Sequence, residues 1–133
     1  MSAARDDVKA RIDAIEEAYE YFLAYAAQGL SSDQGAKSGA PLRDLLKKMD
    51  SALNGLAEQF TALAEEGGYE PRDVWSEMIG IVESDAAASL AAIRLVSAQA
   101  GVSSQLIDNL NANIHLRALL TDLFLVDDLI DRA

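Results

Sequence analysis

The 133-residue chain has no cysteine and a single histidine. The absence of cysteine excludes disulfides, thiolate nucleophiles and cysteine–zinc sites. Carboxylate-bridged di-iron helical bundles need paired Glu-x-x-His motifs, whereas the only histidine, His115, follows Ala112 at that spacing. We therefore expect no bound cofactor, no catalytic set built on histidine or cysteine, and a structural role for His115.

Chain breakers are also scarce, with 2 prolines and 8 glycines, and no run of 18 apolar residues occurs. Alanine, leucine, glutamate and aspartate fill long stretches without a turn signal, which favours an all-α fold. The N-terminal residues lack the apolar core of a signal peptide. The sequence therefore predicts a cytoplasmic protein that does not enter a membrane.

Basic residues are few: 11 Lys and Arg stand against 22 Asp and Glu, giving a net charge of −11. Such a charge repels phosphate backbones and anionic lipid headgroups, so neither a nucleic acid nor a membrane surface is an expected partner. It attracts basic protein segments and cations instead.

Apolar residues recur three or four positions apart in four segments, and each segment predicts an amphipathic helix. The predicted helices cover about 3–28, 41–66, 71–100 and 104–131. Gly29, Gly67, Pro71 and Gly101 mark the connections between them. Helices of similar length with short connections favour a single domain over 1–133, folded as an up-down-up-down four-helix bundle.

The fourth predicted helix is apolar on more than one face, which exceeds what a single core contact requires. Either this helix is central to the fold, or its spare face meets another subunit. We expect a homodimer through this helix. The candidate interface residues are Leu116, Leu119, Leu120, Leu123, Phe124, Val126 and Ile130.

Charged and aromatic residues in the middle of helices offer a different interpretation, a polar pocket between helices. The candidate pocket residues are Tyr19, Trp75, Asp85, Arg94 and Arg117. If the third and fourth helices pair antiparallel, Asp85 falls nearly opposite Arg117, which predicts a partly buried ion pair that fixes their register. A pocket of this kind would make the chain a small-molecule binder or a lyase- or mutase-type enzyme.

The first helix resembles the opening helix of the small all-helical chorismate mutases, which begins with a basic residue followed by an Ile-Asp-x-Ile-acid pattern. The residues that carry the resemblance are Lys9, Ile12, Asp13, Ile15 and Glu16. The resemblance implies a mutase with a cationic pocket for a dianionic substrate. The family has a second arginine late in this helix, where this chain has Ala26, so the counter-charge for such a substrate is missing.

The C-terminal sequence DDLID places Asp127 and Asp131 on one helix face and Asp128 on another. Such a cluster can hold a divalent cation, although its alternative is a solvated last turn. In the predicted topology these residues join other acids at one end of the bundle, named here the acidic end. Its carboxylates are Asp6, Asp7, Glu65, Glu66, Glu70, Asp73, Asp127, Asp128 and Asp131.

Taken together, these features favour a non-catalytic acidic interaction protein, of the adaptor, assembly-factor or chaperone-like kind. Its expected partner is another protein, with a basic segment docking at the acidic end. Two alternatives stay open at this point: the helical enzyme or ligand binder with a pocket, and a weak divalent-cation site at Asp127, Asp128 and Asp131.

Overall fold

The computed structural model describes residues 2–132, and all regular structure in this range is helical, which confirms the all-α prediction. The six helices are α1 (Ala3–Ala26), α2 (Gly39–Leu53), α3 (Leu56–Gly67), α4 (Arg72–Ser97), α5 (Ser104–Asn111) and α6 (Ile114–Arg132). Among these described residues, no helix combines the length and apolarity that a bilayer crossing requires.

The predicted second helix over 41–66 is wrong as a single element, because the chain breaks at Asn54 and Gly55. Asn54 is extended, and Gly55 has a φ of +88°, a backbone conformation that side chains with a β-carbon rarely adopt. Arg11 of α1 completes the end of α2 by donating to three carbonyl oxygens there, those of Ser51, Ala52 and Asn54.

The predicted fourth helix is also divided, into α5 and α6. α5 begins with a side-chain cap, in which the Ser103 hydroxyl accepts from the backbone N–H of Leu106 at 3.0 Å. Asn113 then starts α6, since its Oδ1 accepts from the backbone N–H groups of His115 and Leu116 at 3.0 and 3.2 Å. Asparagine in this position satisfies amide groups that have no partner inside the helix.

Contacts at the helix ends fix the relative directions of α1, α4 and α6. The start of α1 lies beside the end of α6, where Arg5 donates to the carbonyl of Ile130 at 2.9 Å. The opposite end of α1 meets the start of α5, where the Tyr25 hydroxyl donates to Val102 at 2.6 Å. At that same end, Arg43 of α2 donates to Ser97 at the end of α4. Hence α4 runs parallel to α1, and α6 runs antiparallel to both.

The apolar residues of α6 lie mainly in the core of the single chain, which distinguishes between the two roles that the sequence allowed. Six of the seven candidate interface residues are at most 5% exposed: Leu116, Leu119, Leu120, Leu123, Val126 and Ile130. The seventh, Phe124, is 58% exposed. These six residues therefore pack inside the single chain, and Phe124 is the member of the set that remains on the surface.

A buried carboxylate organises the junction between α1, α2 and α5. Asp33, in the loop after α1, accepts from Arg43 Nε at 2.8 Å and from the backbone N–H of Val102 at 2.7 Å. The guanidinium of Arg43 holds the pKa of Asp33 below its usual value. Gly39 allows this loop to close, because a β-carbon there would lie 2.1 Å from the Asp33 carbonyl oxygen.

Candidate functional site

A pair of carboxyl groups joins α4 to α6 at mid-height, and the predicted ion pair between Asp85 and Arg117 is wrong. Asp85 interacts instead with Asp122, while Arg117 is exposed. Asp122 lies five positions after Arg117, which is more than one helical turn. The register of α6 along α4 therefore differs by that amount from the predicted register. Arg94, another candidate pocket residue, binds Asp50 of α2 with Nε–Oδ2 at 3.0 Å.

Burial and the mutual repulsion of two carboxylates favour a single proton shared between Asp85 and Asp122. Partial burial, followed by the hydrogen bond to Asp85 and by its negative charge, raises the pKa of Asp122 to about 7. The buried Oδ2 of Asp122 receives no hydrogen bond from any N–H or O–H group of residues 2–132. Two carboxyl groups can bond to each other only when one is protonated, since a carboxylate has no donor of its own.

The lack of a basic partner sets this pair apart from the other acids that link helices and loops. Within the described part of the chain, basic side chains bind the acids at the other such links, in the pairs Asp33–Arg43, Asp50–Arg94, Asp127–Lys9, Asp131–Lys9 and Asp131–Arg5. No lysine or arginine lies within salt-bridge distance of Asp85 or Asp122 in that range. The pair is thus a carboxyl site without a counter-ion.

Exposed apolar side chains adjoin the carboxyl pair on both helices. Ile81 and Val74 lie four and eleven positions before Asp85, and Leu125 and Leu129 lie three and seven positions after Asp122. By helical periodicity each set shares the side of its aspartate, and antiparallel pairing brings both sets to the same stretch of the seam. We name this surface the α4–α6 face, formed by Val74, Ile81, Asp85, Asp122, Leu125 and Leu129. Its four apolar residues are 40–57% exposed.

The DDLID carboxylates, the candidate cation ligands, are engaged with basic side chains. Lys9 of α1 bonds both Asp127 and Asp131, with Nζ–Oδ1 of 3.0 Å to the latter. Asp128 pairs with Arg132 one turn later at 3.1 Å. No group of three or more acidic or histidine residues among residues 2–132 has the arrangement of a metal site. The acidic end therefore carries its own cations at the start of α1.

The five candidate pocket residues do not converge on one cavity. Trp75 lines an open groove of about 430 Å³ between α3 and α4, where its ring lies 4.9 Å from that of Tyr69, centroid to centroid. Asp85 and Arg117 are not among the groove's lining residues, and Tyr19 packs against the core from α1. The acids of this groove are Glu65 and Asp73, and of the five candidate pocket residues only Trp75 lines it, so these five residues do not form the polar pocket predicted from the sequence.

Asp122 is the residue of the site that sequence reasoning missed. It is the only acid in the apolar block from Leu116 to Val126, and that isolation was a usable signal. An acid surrounded by leucines on a buried helix is either paired or has a shifted pKa.

The shared proton predicts that stability falls as the pH rises. The folded-state pKa of Asp122 is about 7, above the ordinary aspartate value of about 4, so its contribution is complete below about pH 4 and is lost as the pH rises through 7. Asp122→Asn, which resembles the protonated form, should gain roughly 1 to 2 kcal/mol on wild type between pH 5.5 and pH 8. Urea unfolding at both pH values measures the difference.

His115→Gln is the matched control for this measurement, because histidine also titrates in this range. His115 lies exposed at the start of α6. We expect its replacement to leave the pH dependence of the wild type in place. A wild-type stability that does not change between pH 5.5 and 8 would contradict the shared proton.

No protein-family model, no curated protein and no solved structure matches this chain. Its function is therefore argued from the chemistry of its own surface.

Proposed function

We propose that this protein is an acidic interaction module that binds a helical segment of a partner protein on the α4–α6 face. In this proposal the protein is an up-down-up-down four-helix bundle. Its second helix is divided into α2 and α3, and its fourth helix is divided into α5 and α6. The observation that carries the proposal is the group of four exposed apolar residues beside an unpaired carboxyl pair. Elsewhere, exposed large apolar residues such as Leu23, Leu95 and Ile114 are scattered, which is ordinary for a protein surface.

The length of the α4–α6 face suits a third helix. Two antiparallel helices leave a shallow groove along their seam, and an amphipathic helix can lay its apolar residues into such a groove. Val74 and Asp85 are eleven residues apart, which is about 16 Å along α4. A partner helix of about three turns covers this length and presents three or four apolar side chains to it.

Charge favours a different protein over a second copy of this chain as the occupant. A two-fold dimer through this face would bring four carboxyl groups together and would join two chains that each carry a net charge of −11. Like charges brought together at an interface oppose association, whereas a basic amphipathic segment is attracted. A second copy of this chain is thus the competing occupant of this face, which shares no residue with the dimer interface expected from the sequence.

Selection from a peptide library tests the proposal and does not require the partner to be identified first. The library consists of alanine-based helical peptides with one randomised face, presented to the folded protein at pH 8. We expect the selected peptides to carry leucine, isoleucine or phenylalanine at helical spacing. Light scattering of the free protein, done in parallel, should give the 14.2 kDa mass of one chain.

The double variant Ile81→Ser, Leu125→Ser should weaken binding of the selected peptides by roughly tenfold or more, because each substitution removes part of the buried apolar area. Leu23→Ser, which alters an equally exposed leucine on α1, is the matched control and should bind as wild type does. A selection that yields no helical consensus, or equal loss in both variants, would overturn the proposal. A stable dimer blocked by the double variant would assign the face to a second copy.

A further inference from the structure

We infer that the partner helix carries one lysine or arginine within its apolar stripe, and that this cation docks between Asp85 and Asp122. The inference rests on the proposed function and specifies the partner's chemistry. On docking, the ammonium or guanidinium group forms hydrogen bonds to the two carboxylates. The proton that the carboxyl pair held passes to solvent. The only covalent bond that breaks is the O–H bond of the carboxyl group that loses this proton.

Asp85 and Asp122 have no basic side chain within salt-bridge distance among residues 2–132. The chain supplies a basic partner to each of the other acids that link its elements, among them Asp33, Asp50 and Asp127. At Asp85 and Asp122 it supplies none, although burial makes this the place where an unpaired carboxylate is most costly. A basic side chain from a partner gives Asp85 and Asp122 the kind of neighbour that the acids at the other links already have.

Two buried polar atoms near the carboxyl pair lack hydrogen-bond partners within the described part of the chain, one on α4 and one on α6. Ser89 lies one turn after Asp85, is completely buried, and its hydroxyl has no hydrogen-bond partner among residues 2–132. The Oδ2 of Asp122 likewise has no donor there. An ammonium group carries three N–H donors and a guanidinium carries five, so one basic side chain can bond to both carboxyl groups at once.

The apolar residues around the carboxyl pair favour a basic side chain over a free ion as its ligand. Lysine and arginine have long apolar stems that can lie along Ile81 and Leu125 while the charged head reaches the carboxyl pair. A divalent cation prefers six or more oxygen ligands, whereas two carboxyl groups and one hydroxyl are present here. The site therefore fits a basic side chain better than a metal ion.

The same exchange makes binding depend on pH. Below the pKa of Asp122, which is raised to about 7, the site must lose a proton before the cation can dock. Affinity should therefore fall as the pH is lowered, by at most tenfold per pH unit for one proton, and level off above pH 7. The lysine of the partner stays charged throughout, since its own ordinary pKa is about 10.

Other charged groups near α4 and α6 do not account for such a dependence. From α1, Lys9 is bound by Asp127 and Asp131, and Glu16 has a raised pKa from burial and from Asp127. From α2, Asp50 pairs with Arg94. The acids of α3 and α5, Glu58 and Asp108, are exposed, as are Glu83 on α4 and Arg117 on α6. Among residues 2–132, Asp85 is the charged group that raises the pKa of Asp122, after the effect of burial.

The test uses a synthetic peptide made from the tightest sequence of the library selection, together with two derivatives. In one, the basic residue of the stripe becomes norleucine, which keeps the apolar stem. In the other, a lysine is moved to the solvent-facing side, which keeps the charge. Calorimetry at constant ionic strength gives the dissociation constants at pH 5.5, 6.5, 7.5 and 8.5.

We expect the parent peptide to bind about tenfold tighter at pH 7.5 than at pH 5.5 and to release about one proton near pH 6.5. The norleucine and relocated-lysine peptides should bind more weakly at pH 7.5 and show no such rise. Asp122→Asn should remove both the pH dependence and the preference for the basic residue, whereas Asp85→Asn should weaken the preference and move the pH dependence to lower pH, because burial alone still raises the pKa of Asp122. Asp128→Asn, which alters an exposed acid of the same helix, should behave as wild type.

The outcomes separate this inference from the proposed function. Selected peptides without a basic residue in the stripe, or binding that is independent of pH and unchanged in Asp122→Asn, would overturn the inference and leave the docking face in place. Failure of the selection itself would overturn the proposed function, and the inference with it. Circular dichroism of each variant confirms that a loss of binding is not a loss of fold.

Discussion

Replacement of Leu123 with aspartate is expected to unfold the chain, not to release a folded monomer from a dimer. Leu123 is 1% exposed in the core of a single chain. The substitution removes a buried apolar side chain and puts a charge in its place, at a combined cost of roughly 5 kcal/mol or more. That approaches the whole stability of a typical domain, about 5 to 15 kcal/mol. Circular dichroism should show loss of helix at pH 8.

Leu125→Asp is the matched control, two positions later on the same helix. Leu125 is 55% exposed on the α4–α6 face, so this variant should keep its helix content and lose at most about 1 kcal/mol. If Leu123→Asp instead stays folded and halves the mass measured by light scattering, the apolar block of α6 is a subunit interface. The same comparison can be made with Leu119, which is also completely buried.

Asp33→Ala should be the most damaging substitution of a charged residue. The carboxylate is 8% exposed and accepts from both Arg43 and the backbone N–H of Val102, so its removal leaves a buried amide and a partly buried guanidinium without their acceptor. Breaking one side of such a pair costs about 3 to 5 kcal/mol. We expect the melting temperature to fall by roughly 10 to 20 °C.

The exposed pair between Asp128 and Arg132 provides the comparison, since Asp128→Ala should cost no more than about 0.5 kcal/mol. The pH dependence of the Asp33 effect has the opposite sign to that of Asp122. Because the pKa of Asp33 is lowered in the folded protein, its contribution is complete above about pH 4 and fades as the pH falls further. A destabilisation of Asp33→Ala that persists undiminished in acid would contradict this account.

Much of the fold was predictable from the sequence because its signals are local. The apolar spacing and the glycines at 29, 67 and 101 placed the ends of α1, α3 and α4 within a few residues. The break at Asn54 and Gly55 was missed, although Asn-Gly is a turn signal. Leu53 and Leu56 keep the helical spacing across it, so the hydrophobic pattern looked continuous.

The carboxyl pair could not have been predicted in the same way, because its register depends on a short interruption. Two residues, Ala112 and Asn113, separate α5 from α6 and decide which residue faces Asp85. Local sequence identifies each aspartate, but not their contact. The acids of DDLID are visible in the sequence, whereas the neutralisation of Asp127 and Asp131 by Lys9 depends on the long-range packing of α1.

The arginine contacts at helix ends have a consequence for how the protein loses its structure. The last carbonyls of α2 are bound by Arg11 from α1, and those after α4 are bound by Arg43 from α2. Each of these helices is thus completed by a residue far from it in sequence, and the ends would fray in an isolated fragment. Amide hydrogens near the ends of α2 and α4 should therefore exchange with solvent mainly through the cooperative opening that also exposes the core.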